Sequence, residues 1–310
     1  MYAIRDLSPR GYSFLVFNIV APILVCLAVF LRVWTRLYIS KSFGTDDILL
    51  LVSTAMYVGT SITGIGISLH GFGSHQDTIS PDNLSTQFKY MYIDGILCYL
   101  CIIALRFSLC WLFLRFTQVL WQRRVLYSVA IISTIINVFN LFRMNMFYCV
   151  PIPYYWEAYA YNNSITGVCV SPAAMSIALY IQYGISVVAD WVTCLLPLLL
   201  VKDSLMDTKV KILTWCLLGM GIFASGAGIA TIIFAPTYMD VDDFTHTAYG
   251  LFVAQTTEPF IGILAASFST YYPLFKSLWA TFIGDPGIKM RDLNTIKTIE
   301  GLQDSKTESV

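Results

Sequence analysis

Seven long stretches of mostly apolar residues constrain this chain more than any other feature of its sequence. They cover residues 14–34, 47–69, 90–116, 125–147, 172–200, 210–235 and 248–272. Each is long enough to cross the hydrocarbon core of a bilayer as a helix, for which about 20 residues suffice. Backbone groups in lipid must pair internally, and the alternating ten-residue strands of a barrel are not visible. The sequence therefore predicts an all-α bundle of seven transmembrane helices.

The composition favours a membrane protein over a soluble enzyme. Apolar residues make up 57% of the chain and charged residues 12%, whereas soluble domains are usually about 25% charged. The 19 basic and 19 acidic residues cancel, so no basic field exists to attract a nucleic acid. We expect a multi-pass protein of the plasma membrane or an endomembrane, with the lipid bilayer as a partner and no nucleic-acid partner.

The distribution of basic residues predicts the orientation of the bundle. Fourteen of the 19 Lys and Arg residues lie in or beside the connections 35–46, 117–124 and 201–209, or after residue 272. Because basic residues collect on the cytoplasmic side, the N-terminus is expected to be outside or lumenal and the C-terminus cytoplasmic. Residues 1–13 then form a lumenal N-terminal segment.

The chain after the seventh stretch divides into two parts. Apolar residues recur at helical spacing from Leu274 to Ile283, a pattern typical of a short helix that lies on the inner leaflet. Residues 14–283 are therefore predicted to form a single domain. The polar segment 284–310 is predicted to be a disordered cytoplasmic tail.

Two kinds of modification are expected on the lumenal side. Asn83 and Asn162 begin the two N-x-S/T sequons, and both fall in predicted lumenal segments where glycosylation can occur. Cys149 and Cys169 lie in or beside the loop that joins the fourth and fifth stretches. An oxidising compartment permits a disulfide there, which we favour over two unpaired thiols.

Several separated motifs resemble those of the fungal rhodopsin-like domain. They are Arg32 and Arg36 before SFGTDD at 42–47, GFGSH at 71–75, RFSLCWLFLRF at 106–116, the loop residues Cys149, Pro151, Trp156 and Cys169, Asp190 with Leu196 and Pro197, and EPFIGILAASFSTYYPL at 258–274. The resemblance covers about residues 30–275. It implies a seven-helix membrane protein with its N-terminus outside. Members of this family include receptor-like proteins and membrane proteins associated with secondary-metabolite pathways, such as those that resemble the satratoxin-cluster membrane protein.

The family name does not imply retinal in this chain. A covalent retinal needs a lysine amine inside the bundle to form a Schiff base. The seventh stretch, 248–272, contains no lysine, and no other stretch has a central one. We therefore predict no covalent retinal and no other cofactor.

Five charged residues lie inside the predicted helices, where ionisable groups are costly and usually mark a pair or a function. They are Asp94, Arg106, Arg143, Asp190 and Glu258. At about 1.5 Å per residue, Asp94 and Arg143 lie about 6 Å from the outer ends of their stretches and could pair. Glu258 lies about 15 Å deep, and Arg106 and Asp190 about 24 to 27 Å deep. Arg106 is therefore expected to reach Asp190 or, less directly, Glu258.

These charges have three open interpretations. They could be structural ion pairs between helices, or a carboxyl could bind the polar group of a small lipophilic ligand. Alternatively, a buried carboxyl could act as a general acid on a membrane-dissolved substrate. Glu258 and Asp190 are the candidate catalytic residues, and the sequence leaves open whether the chain is an enzyme.

Two outer segments contain residue types that can bind metal ions. The acidic segment 240–243 with His246 could hold a hard cation, and His70 and His75 lie close to Asp77. Solvated loops explain both segments without an ion, because neither brings a full ligand set together in sequence. No metal site is predicted.

The leading functional hypothesis is a membrane protein that handles a small lipophilic metabolite within a fungal secondary-metabolite pathway. The alternative is a sensor of an extracellular ligand that resembles a G-protein-coupled receptor. The connections 117–124 and 201–209 are short and offer little surface to a G protein, which favours the first hypothesis.

Overall fold

A computed structural model describes residues 7–116, 119–145, 148–158, 165–202, 208–236 and 243–271. In chain order the elements are α1 (Pro9–Trp34), α2 (Thr45–Leu69), α3 (Pro81–Phe116), α4 (Leu120–Asn145), β1 (Cys149–Val150), α5 (Tyr154–Glu157), β2 (Val168–Cys169), α6 (Pro172–Lys202), α7 (Thr208–Phe234), α8 (Phe244–Thr247) and α9 (Tyr249–Phe268). A π-helical turn, Thr35–Ile39, continues α1, and a 3₁₀ turn, Gln76–Thr78, precedes α3. The fold is therefore mainly α-helical, as predicted.

The long helices pack as a closed ring. Each of α1, α2, α3, α4, α6, α7 and α9 packs against the next in that order, and α9 returns to α1. The α2–α3 contact is the most extensive of these. The core lies along the inner faces of the ring, whereas large apolar side chains such as Ile23, Phe139 and Phe223 are exposed on its outside. An apolar outer surface is typical of helices that face lipid.

Within the described residues, six helices are long and apolar enough to cross a membrane. These stretches are Pro9–Ile39, Thr45–Leu69, Pro81–Leu114, Leu120–Arg143, Pro172–Thr193 and Tyr249–Phe268. Helix α7 contributes a shorter apolar stretch, Gly221–Phe234. The chain is thus a multi-pass membrane protein, while a seventh crossing and the orientation of the termini stay predictions.

Helices α1, α3 and α4 begin at least five residues earlier than the apolar pattern predicts, and α4 begins at Leu120 instead of residue 125. Helix α1 begins at Pro9 instead of residue 14, because the Ser8 side chain caps it by accepting a hydrogen bond from the Gly11 N–H at 3.1 Å. Helix α3 begins at Pro81 instead of residue 90. Pro81 supplies a favourable first helical residue and Asp82 a negative charge in the first turn, so the polar start of α3 is helical as well.

The predicted disulfide joins the two short strands. Cys149 and Cys169 are bonded to each other and face each other in the antiparallel β1–β2 pair. We call the end of the bundle that carries this pair the disulfide end, and the end that carries the α1–α2 connection the opposite end. The predicted inner-leaflet helix at 274–283, the tail at 284–310 and Asn162 lie outside the described residues.

Candidate functional site

The disulfide end contains a cavity of about 540 Å³. Small-molecule sites usually enclose about 300–1,000 Å³, so this volume suits one metabolite. Helices α3, α5, α6, α8 and α9 and strand β2 contribute to its wall. Lining side chains include Phe88, Met91, Tyr92, Asp94, Cys98, Tyr99, Tyr148, Tyr154, Tyr155, Met175, Tyr183, Phe244, Phe252 and Gln255.

Aromatic rings from the disulfide-linked loop form one side of the cavity. The ring of Tyr155 meets Phe88 edge-on at 5.5 Å between centroids and Tyr148 at 5.3 Å. Tyr154 lines the cavity beside them. The aromatic residues of this loop would by default form an interfacial belt. In the structure, Tyr154 and Tyr155 turn inward and provide a surface for a flat or apolar ligand.

Asp94 places a carboxyl in the cavity wall. The residue is 7% exposed, and its Oδ1 accepts a hydrogen bond from the Thr63 hydroxyl at 2.7 Å. The expected Asp94–Arg143 ion pair does not form among the described residues, and Arg143 donates to the Ala174 carbonyl at 3.5 Å. The reason is the early start of α3, which places Asp94 about 20 Å along that helix instead of near its end.

The structure brings Arg106, Asp190 and Glu258 together deeper in the bundle. We call these residues, with Ser186, the Arg106 cluster. The Arg106 guanidinium donates to Asp190 Oδ1, to the Ser186 hydroxyl at 2.6 Å and to Glu258 Oε1 at 3.4 Å. Ser186 donates in turn to Glu258 Oε1 at 2.9 Å. Because Ser186 and Asp190 are four residues apart on α6, they present one face to α3, and the cluster joins α3, α6 and α9.

The Arg106 cluster lies next to the cavity without lining it. Gln255 is in the cavity wall, and Glu258 follows it one helical turn along α9. Glu258 Oε2 is buried and has no hydrogen-bond partner among the described residues. Glu258 and Asp190, the predicted catalytic candidates, therefore do not contact a ligand that occupies the cavity. The hydrogen-bond network of the Arg106 cluster nevertheless leaves one Glu258 oxygen without a partner among the described residues.

A second buried charge cluster lies at the opposite end, and sequence reasoning missed it. In the Arg32 cluster, Arg32 donates to Asp47 Oδ1 and Asp46 Oδ2, both at 2.7 Å, and to the carbonyl of Ala266. Arg36 lies 3.3 Å from Asp46 Oδ2. In the sequence, Arg32 and Arg36 serve only to predict the orientation and, with Asp46 and Asp47, form part of a family motif. The four-residue spacing of the arginines, next to an Asp-Asp pair in the following connection, was the available signal.

A third group of polar side chains lies at the surface of the disulfide end, where His75 is exposed and Asp243 and His246 are partly buried. His75 Nδ1 lies 2.6 Å from Asp243 Oδ2, and His246 Nδ1 lies 3.7 Å from the same oxygen. We call these three residues the outer histidine cluster. Sequence reasoning placed Asp243 and His246 in one segment and His75 in another, since 168 residues separate His75 from Asp243. The structure brings together the α2–α3 connection and the start of α8.

Charges around the outer histidine cluster shift its protonation. Partial burial lowers the pKa of His246, and the nearby Arg10 and His75 lower it further against the opposing effect of Asp243. Partial burial raises the pKa of Asp243, but the Gln76 N–H and the two histidines outweigh it and bring that pKa below its usual value. The neutral imidazole of His246 and the ionised carboxylate of Asp243 are therefore both favoured near neutral pH.

Asn83, one of the two predicted glycosylation sites, lies in the first turn of α3 and is half-buried. Ser85 of the same sequon is buried. Glycosylation at Asn83 and Asn162 stays a prediction.

Together, the apolar helices, their closed ring and the internal charges define a multi-pass helical membrane protein with a cavity at one end. The chain belongs to the fungal rhodopsin domain family, which matches residues 31–277. This confirms the resemblance seen in the motifs.

The chain is also similar to a SAT4 family membrane protein from Emericella nidulans. The two are 24% identical over 209 residues, which cover 67% of this chain and 51% of the relative. The chain thus spans about half the length of this curated relative. No solved structure matches the chain.

Proposed function

We propose that this protein binds a small lipophilic metabolite in the cavity at the disulfide end and serves a fungal secondary-metabolite pathway. The observation that carries the proposal is an aromatic-lined cavity of about 540 Å³ with the carboxyl of Asp94 in its wall. A ligand pocket is typically apolar and has a few polar groups that fix orientation, and this cavity has both.

The chemistry of the wall indicates what kind of ligand fits. Tyr92, Tyr148 and Tyr155 offer ring faces and edges to a flat or conjugated skeleton. A buried carboxyl is costly unless it is paired or hydrogen-bonded, and Asp94 accepts one hydrogen bond, from Thr63. We expect a ligand with a hydroxyl, amide or amine donor that reaches Asp94.

Binding is proposed here in preference to catalysis because of where the other carboxyls lie. Glu258 and Asp190 face Arg106 and Ser186 instead of the cavity. The pathway assignment rests on the family, whose members include membrane proteins associated with secondary-metabolite pathways.

Comparative metabolite profiling of a deletion strain tests the pathway. We expect at least one lipophilic metabolite to disappear or its precursor to accumulate, and complementation with the intact gene to restore the profile. An unchanged profile and unchanged intermediates, under conditions in which the protein is expressed, would contradict the pathway assignment.

Ligand binding is tested on protein purified from the fungal membrane, by mass spectrometry of the small molecules that copurify. Asp94→Asn should reduce the retained ligand about tenfold, because a hydrogen bond to a charged group is worth about 1–1.5 kcal/mol more than one to a neutral amide. Cys98→Phe, which fills the cavity, should reduce it further. Asp82→Asn and Leu100→Phe are matched controls, since both residues are exposed on the same helix. Equal retention by all four variants would exclude the cavity as the binding site.

A receptor is the second candidate function, and the position of the Arg106 cluster favours it. The cluster joins three helices one turn below Gln255, so a ligand that shifts α9 changes the distances within it. A receptor requires ligand-dependent activation of a G protein in reconstituted membranes, with loss of the response in Glu258→Gln. Activation with an intact metabolite profile in the deletion strain would favour this candidate over the first.

A further inference from the structure

We propose that the outer histidine cluster is a binding site for a divalent transition metal of the zinc class. The site would have His75, His246 and Asp243 as its three protein ligands. Two imidazoles and one carboxylate form a ligand set typical of zinc sites that keep an open position for water. The inference is independent of the proposed metabolite binding.

The donor atoms are already grouped around one point. His75 Nδ1 and His246 Nδ1 lie 2.6 and 3.7 Å from Asp243 Oδ2, and one donor atom from each residue lies within 4.8 Å of the others. Tetrahedral bonds of about 2.0–2.2 Å place donor atoms roughly 3.3–3.5 Å apart. The histidine rings stack with centroids 4.0 Å apart. Shifts of about 1.5 Å or less therefore convert the cluster into a coordination shell.

Backbone contacts hold the ligands in place. The Gln76 N–H donates to Asp243 Oδ1 at 3.0 Å, which fixes the carboxylate and leaves Oδ2 toward the histidines. The Thr245 hydroxyl donates to the Ser74 carbonyl at 2.9 Å, and the Gly73 N–H donates to the Thr245 carbonyl at 3.1 Å. Groups that orient metal ligands from outside commonly contribute about 10- to 100-fold in affinity.

The ligand types indicate which ions fit. Imidazole suits Zn²⁺, Cu²⁺ and Ni²⁺, whereas Mg²⁺ and Ca²⁺ prefer sites built from oxygen atoms. Metal binding through His75 Nδ1 requires the imidazole tautomer that carries its hydrogen on Nε2, which leaves the Nδ1 lone pair for the ion. The His75 side chain is 65% exposed, which gives the ion direct access.

Arg10 lies beside the proposed metal site and is expected to weaken metal binding, so that a variant without its charge should bind the ion more tightly. Its Nη1 lies 3.3 Å from His246 Nδ1 and donates to the His246 carbonyl at 3.1 Å. A guanidinium at this distance repels a divalent cation and covers one ligand atom. Removal of its charge in Arg10→Ala should therefore tighten metal binding, whereas removal of any ligand should weaken it.

The experiment uses the full chain, purified without a polyhistidine tag, reconstituted in nanodiscs and freed of metal with a chelator. Titration calorimetry with ZnCl₂ should show one ion per chain, and Co²⁺ should give visible absorption bands of a low-symmetry site. His75→Ala, His246→Ala and Asp243→Asn should each weaken Zn²⁺ binding at least about tenfold. Arg10→Ala should tighten it several-fold.

His70→Ala is the matched control, because His70 is the remaining histidine of the three in the chain and lies outside the cluster. It should bind Zn²⁺ as the wild type does. Each ligand variant must have the same thermal unfolding temperature as the wild type in the presence of chelator, which shows that weaker binding does not come from a folding defect. Asp243→Asn is chosen because the amide keeps an acceptor for the Gln76 N–H. Equal Zn²⁺ affinity in wild type, His75→Ala and His246→Ala, or equal binding of Mg²⁺ and Zn²⁺, would overturn the proposal.

Discussion

Counted over the described residues, the two buried charge clusters differ in their charge balance. In the Arg32 cluster, two arginines face two aspartates, and the side chains of Arg32, Asp46 and Asp47 have no exposed surface. In the Arg106 cluster, one arginine faces two carboxyls, and the three side chains keep between 7% and 13% exposure. A balanced cluster is internally neutralised, whereas an unbalanced one has a surplus carboxyl that must be protonated or meet another partner.

Position reinforces this difference. The Arg32 cluster joins α1, α2 and α9 at the end of the bundle away from the cavity, and Ser108 of α3 donates to the Asp46 carbonyl at 2.8 Å. The Arg106 cluster begins one helical turn from the cavity wall. We infer that the first cluster stabilises the fold and that the second responds to what the cavity holds.

The largest expected effect is on the balanced cluster. Arg32→Ala leaves two buried aspartates short of a partner and should cost about 3–5 kcal/mol in free energy of unfolding. Reversible SDS unfolding in mixed micelles measures it. Arg36→Ala is the matched variant and should cost about 1 kcal/mol, because its contacts with Asp46 and Asp47 are longer, at 3.3 and 3.9 Å. Equal costs for the two arginines would contradict the description of Arg32 as the centre of the cluster.

An intermediate effect is expected in the unbalanced cluster. Asp190→Asn removes one carboxylate but leaves Arg106 facing Glu258 and Ser186. Asn keeps an acceptor for Arg106 but loses the charge, so the free energy of unfolding should fall by about 1–1.5 kcal/mol. The same unfolding measurement applies, with the exposed Asp82→Asn as a control. A cost above that of Arg32→Ala would show that the unbalanced cluster is the main structural one.

The smallest effect on stability is expected for Glu258→Gln. The amide keeps an acceptor for Ser186 and Arg106, and Glu258 Oε2 has no hydrogen bond to lose among the described residues. The free energy of unfolding should change by about 0.5 kcal/mol or less. The amount of the pathway's metabolite, or the signal of a receptor, should nevertheless fall in vivo at an unchanged protein level. Loss of folded protein in Glu258→Gln would instead show that the role of the Arg106 cluster is structural.

The sequence predicted the parts of the structure that depend on apolar length and helical rise. The long helices follow from uninterrupted apolar stretches, and a fixed rise along α3, α6 and α9 was enough to place Arg106 near Asp190 and Glu258. The early starts of α1 and α3 were missed, because capping residues and a leading proline extend a helix into polar sequence.

Contacts across connections could not be predicted from periodicity. Arg32 and Asp46 sit at the boundaries of apolar stretches, where charges normally face water, so their burial depends on how α1, α2 and α9 meet. His75 and Asp243 meet because the ring of helices closes, which no local pattern shows. Which aromatic residues turn toward the cavity likewise depends on the path of the loop between the two bonded cysteines.

The length of α3 has a mechanical consequence. Its 36 residues form a rod of about 54 Å, longer than the roughly 30 Å hydrocarbon core of a bilayer. Asp94 at the cavity and Ser108 beside the Asp46 backbone lie about 21 Å apart on this rod. If α3 pivots at one of these points, a tilt of about 5° displaces the other by about 2 Å. A rigid-body tilt of α3 can therefore couple ligand binding in the cavity to the position of the opposite end of the bundle. The hydrogen bonds within α3 need not change.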